Sequence, residues 1–104
     1  MIHTAQQKRR MRGVILKLIY ENHEAQAARV DDVTITGVLE RLQFDVSVNM
    51  IREILQDLKD RGFLRYAETR NRFSGAKSIG KIEITAAGRD IVEKTTVDPA
   101  VDVE

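Results

Sequence analysis

Asn49, Arg52, Glu53 and Gln56 lie three or four residues apart, so a helix over this stretch sets their polar groups on one face. Those groups suit the edges of bases: Arg pairs bidentately with guanine, and Asn or Gln with adenine. Arg70, Arg72 and Lys77 form a second set, in a polar loop, suited to phosphates or a narrow minor groove. Lys8, Arg9 and Arg10 form a third, able to add backbone contacts as an N-terminal arm. Phe73 stands among the loop cations and reads either as a small apolar anchor or as a side chain folded back on its own loop. Such chemistry is what non-covalent recognition of duplex DNA would use; an ordinary surface helix and solvated charge clusters look the same, with Glu53, Asp57 and Asp60 pairing with Arg52, Lys59 and Arg61. Across residues 48–61, however, Arg52, Lys59 and Arg61 are balanced by Glu53, Asp57 and Asp60. A neutral helix of this kind also suits a protein partner.

Other chemistries find little support. Residues 75–81 satisfy G-x-x-x-x-G-K, but Ile82 stands where a phosphate-binding loop needs Ser or Thr, and the sequence continues as a strand where a helix should open. His3 and His23 are the only histidines, far apart and without an evident carboxylate partner, so neither a metal site nor a nucleophile–base pair assembles from them. There is no cysteine, which excludes disulfides and thiolate metal ligands. No catalytic residue, metal, cofactor or small-molecule ligand is expected.

Helical and strand periodicities must position these side chains. Ser47 can cap a helix ending at Gly62, with Val46 and Ile51 placed for a hydrophobic staple and Ile51, Ile54, Leu55 and Leu58 forming its inward stripe. A first helix is expected over residues 5–23 from the stripe Met11, Val14, Ile15, Leu18 and Ile19, with Gly13 weakening it by about 1 kcal/mol relative to Ala. Residues 22–31 read as a loop with a short strand near Val30. Asp32 or Thr34 can cap a second helix that carries Ile35, Val38, Leu39 and Leu42 as far as Gln43. Only Phe44, Asp45 and Val46 separate it from the Ser47 helix, a helix-turn-helix spacing. After Gly62 the period falls to two, which predicts a β-hairpin with a long basic tip, 63–68 and 79–84. Thr85 then caps a short helix to Lys94, and residues 95–104 read as an extended tail after a 1–94 domain.

The chain has 104 residues, enough for one core without metal or disulfide support, and its net charge is +1. The charge is unevenly placed. Residues 1–12 hold Lys8, Arg9, Arg10 and Arg12 against no acids, residues 65–81 hold five cations against Glu68, and the tail carries Asp98, Asp102 and Glu104. Local positive fields of this kind attract phosphate within about a Debye length. With no secretory signal and no membrane-length apolar run, a cytoplasmic location is expected.

The order helix, helix, tight turn, helix, Gly, strand, basic loop, strand, helix resembles the winged helix-turn-helix superfamily over residues 11–94. The most specific stretches are residues 46–64, VSVNMIREILQDLKDRGFL, and the strand-to-helix ending 84–92, ITAAGRDIV, similar to the T-x-x-G ending of many such regulators. Within the superfamily the chain is similar to small proteins of Mu-like phages and prophages, which pair such an ending with a short tail containing Pro or Gly, here residues 95–101. The resemblance implies a mainly α fold with a small hairpin, α-α-α-β-β-α. It also implies a DNA-binding regulator in which Asn49, Arg52, Glu53 and Gln56 meet base edges; since one short helix is usually insufficient for specific recognition, a homodimer on a two-fold site is expected, with the first and last helices available to form it. The alternative is a phage accessory or assembly component that uses the same fold as a protein-interaction module.

Overall fold

The computed structural model describes residues 3–26 and 29–103. Its elements run α1 (Ala5–Glu24), α2 (Asp32–Arg41), α3 (Val48–Asp60), β1 (Leu64–Arg70), β2 (Lys77–Ile84) and α4 (Ala86–Val92). The order is therefore α-α-α-β-β-α, with the two strands antiparallel. No helix among the described residues is long and apolar enough to cross a membrane.

Each helix starts where a side chain can take up an orphan N–H. Thr4 and Gln7 form a reciprocal capping box at α1, Ser47 accepts from Met50 at α3, and Thr85 accepts from Gly88 at α4. At α2 the cap is Asp31, which accepts from Thr34, rather than the expected Asp32 or Thr34. That shift of one residue frees the Asp32 side chain to turn inward. The ends are equally regular. Phe44, Phe63 and Thr95 donate back to the carbonyls of Leu39, Leu58 and Asp90, closing α2, α3 and α4 with Schellman turns. The left-handed residues in those turns are Gln43, Gly62 and Lys94, so only α3 ends on the glycine that this conformation favours. Two helices are shorter than expected, since α2 stops at Arg41 and α4 at Val92.

One core gathers the stripes: Met11, Ile15, Leu16 and Ile19 from α1, Ile35 and Leu39 from α2, and Ile51, Leu55 and Leu58 from α3. Leu64, Ile79, Ile82, Ile84 and Ile91 close it from the hairpin and α4. In the hairpin Arg65 pairs with Glu83 and Ala67 with Gly80, so β1 advances two residues while β2 steps back three. The extra residue makes a bulge at Lys81, whose φ is +52°. Ile82 then bonds through its N–H to the Val30 carbonyl, and the strand expected near Val30 is this single bridge. Residues 27 and 28 of the preceding loop lie outside the described residues.

Among the described residues the C-terminal segment after α4 has no helix or strand, but it is part of the packed unit. Val101 is buried in the core cluster, the Asp102 N–H donates to the Arg9 carbonyl, and Arg12 donates to the Ala100 carbonyl. Gly13 makes this possible: a Cβ there would overlap the Asp102 carbonyl oxygen. Gly88 serves α4 in the same way, letting it pack against the Phe63 carbonyl.

Candidate nucleic-acid interface

Burial of Ile51, Leu55 and Leu58 fixes the rotation of α3 and leaves Asn49, Glu53 and Gln56 exposed on its outer side. Arg52 departs from the expected set. Its Nε lies 2.6 Å from Oδ2 of Asp32, a side chain only 2% exposed, and its Nη1 reaches Asn49 Oδ1 at 3.4 Å. The guanidinium is thus drawn sideways onto α2 instead of outward with its neighbours. Arg52 therefore ties α3 to α2 while its Nη1 stays beside Asn49 of the outward set.

Asp32 is what the periodicity could not reveal. Its Oδ1 accepts the Val33 N–H at 2.8 Å, and its Oδ2 accepts both Arg52 and the Ile79 N–H at 3.1 Å. One carboxylate therefore links the first turn of α2, the middle of α3 and strand β2. A buried charge is retained only when paired and hydrogen-bonded in this way. Its partners are 20 and 47 residues away in sequence, so no local pattern marks it.

The hairpin rises directly after α3. Lys59 at the end of α3 places its ammonium 4.7 Å from the centre of the Tyr66 ring on β1, joining the two elements. Between Thr69 and Ile82 the sequence has four cations and no acid. Arg70, Arg72 and Lys77 are exposed and form no ion pair among the described residues. The tip is a built turn: Asn71 Oδ1 accepts from the N–H groups of Phe73 and Ser74, the Gly75 N–H donates to the Asn71 carbonyl, and Ser74 Oγ accepts from Ala76. Phe73 is 98% exposed. Of its two expected roles, folding back on the hairpin is ruled out.

Lys8, Arg9 and Arg10 are not an arm. All three lie inside α1, where successive side chains turn by about 100°. Lys8 borders a groove shared with Met50, Glu53 and Ile54 of α3, whereas Arg10 borders a different groove on the α2 side. The cations are thus divided between faces. Between α1 and α3, Arg12 Nε sits 3.0 Å from Asp57 Oδ2, which also holds Arg61 at 3.1 Å. Asp57 is one of the acids that balance the α3 cations in the sequence. Arg61 pairs with it four residues on, and Arg12 adds a tie to α1.

The Arg10 groove, of about 660 Å³, runs between α1 and the end of α2. Val14, Leu18, Val38 and Phe44 line it half-buried, and Leu42 is 53% exposed beside them. Among the described residues there is no group of three or more His, Asp or Glu side chains able to hold a metal ion. No protein-family model, curated protein or solved structure matches the chain.

Proposed function

We propose that this chain is a non-catalytic, winged-helix, duplex-DNA-binding protein, a transcriptional regulator of the kind carried by Mu-like phages and prophages. The observation that carries the proposal is an exposed polar face on α3, Asn49, Glu53 and Gln56, followed in the chain by a hairpin whose basic tip forms no ion pair among the described residues. In this reading α3 enters the major groove and presents Asn49, Glu53 and Gln56 to base edges. The hairpin is the wing, with Arg70, Arg72 and Lys77 on the adjacent backbone. The seven residues of β1 are separated by six steps of about 3.3 Å and so span roughly 20 Å, comparable to the half-turn of about 17 Å that separates neighbouring grooves. Lys8 can add a phosphate contact from α1. The apolar side chains Val14, Leu18, Val38, Leu42 and Phe44 of the α1–α2 groove offer a surface for a second copy, giving a homodimer on a two-fold site. That groove also favours the second reading, a module that captures another protein.

The test is fluorescence anisotropy of a labelled random duplex titrated at rising salt. The wild type should bind in the micromolar range at low salt and weaken steeply as salt rises. Arg72→Ala should weaken all sequences about equally and lower the salt slope by about one ion. No binding at low salt would favour the protein-capture reading.

A further inference from the structure

Phe73 is the most exposed large apolar side chain of the described residues, at 98%, and it projects from a turn whose backbone is hydrogen-bonded to the Asn71 side chain. Nothing in the fold uses it. Five hydrogen bonds within residues 71–76 hold the tip in shape, and none requires an aromatic ring at position 73. Its immediate surroundings are cationic: Arg72 is its neighbour in sequence, and Arg70 and Lys77 are paired at the hairpin's end. An apolar wedge ringed by unpaired cations is complementary to a stacked base step flanked by phosphates.

Resting on the DNA-binding reading, we propose that Phe73 is a wedge that inserts from the minor groove between two base pairs and kinks the duplex. The cations seat the tip on the two phosphate strands, and the ring takes the place of one stacking contact. Wedges of this type unstack a step partially and bend the duplex by about 20–90° toward the major groove. Flexible pyrimidine–purine steps such as TA and CA yield most easily. Phe73 would therefore give the protein a sequence preference at a step that hydrogen-bonds to no side chain. It would act independently of Asn49 and Gln56. The rigidity of the turn matters here, because a floppy loop would fold the ring back when it met resistance.

The experiment uses the full chain and a duplex of about 30 base pairs, roughly three turns, with a fluorophore at each end and 2-aminopurine at a central TA step. Anisotropy in the same samples reports binding. Wild type should shorten the end-to-end distance and brighten the 2-aminopurine on saturation. Phe73→Ala should bind within about tenfold of wild type yet leave both signals at their free-duplex values, and Phe73→Leu should retain most of both. Because the side chain is fully exposed, these variants leave the fold intact. Saturable binding by the wild type without bending, or equal bending by Phe73→Ala, would overturn the wedge while leaving the DNA-binding reading standing. Absence of any binding would overturn both. Phe73-dependent sedimentation with phosphatidylserine vesicles, with duplex signals unchanged, would also overturn the wedge and assign the tip to a membrane surface.

Discussion

The Nε of Arg52 lies 2.6 Å from the buried Oδ2 of Asp32, joining α3 to α2 across 20 residues of sequence. Removing either partner leaves the other without its counter-ion, and removing Asp32 also strands the Ile79 N–H. Breaking a buried pair costs about 3–5 kcal/mol, and the 27% exposure of Arg52 brings the expectation for Arg52→Ala to about 2–3 kcal/mol. Asp32→Ala should cost more than Arg52→Ala, because two further donors lose their acceptor. Urea denaturation of both variants checks this. Equal stability of Arg52→Ala and wild type would return Arg52 to the outward face.

Gly13→Ala tests the docking of the C-terminal segment. On helix propensity alone the substitution should stabilise α1 by about 1 kcal/mol. With residues 98–103 docked, the new Cβ meets the Asp102 backbone, and Val101 must leave the core. The net expectation is a loss of about 0.5–2 kcal/mol, since burial of a Val side chain contributes about 1.5–3 kcal/mol against the gain of about 1 kcal/mol in α1. In a chain ending at residue 94 the same substitution should become stabilising. Thermal unfolding of the four proteins of this cycle gives the sign directly.

Acid sensitivity should arise at Asp31 and Glu83. The Thr34 N–H holds the Asp31 carboxyl below its usual range, and the Arg65 hydrogen bond, followed by the Arg29 charge, does the same for Glu83. Groups with lowered folded values contribute stability that is present above their unfolded values and lost as the pH falls through the folded ones. Stability should therefore hold down to the ordinary carboxylate range and decline on further acidification. Asp31→Asn keeps the cap but cannot titrate, so its stability–pH profile should be shallower on the acid side.

Self-association through the α1–α2 groove predicts that Leu42→Glu, at a half-exposed position, gives a monomer without loss of thermal stability. Light scattering coupled to size exclusion would show it. A dimer unaffected by Leu42→Glu would place the contact elsewhere.

Much of the fold is legible because its signals are local. The i, i+3, i+4, i+7 stripes, the Ser47 cap, Gly62 and the alternating hairpin strands each lie within or next to one element and follow its own period. What stayed hidden is long-range. Asp32 looks like a cap from sequence, and only the presence of Asp31 before it and two distant partners turns it inward. The docked tail left one trace, a glycine in mid-helix at position 13, which propensity counts as a weakness and which close backbone approach explains. The bulge at Lys81 is invisible because a lysine occupies a conformation that glycine would advertise. The division of Lys8, Arg9 and Arg10 between faces follows from the helical step alone, once α1 begins at Ala5.

The measurement that tests the central claim most directly is a ¹H–¹⁵N correlation spectrum of the protein titrated with a duplex of about 20 base pairs, two helical turns. DNA binding through α3 and the wing predicts that the largest shifts fall on Asn49, Glu53, Gln56 and residues 70–77, with Val14, Leu18 and Val38 little changed. Shifts confined to the α1–α2 groove, or none at all, would contradict it.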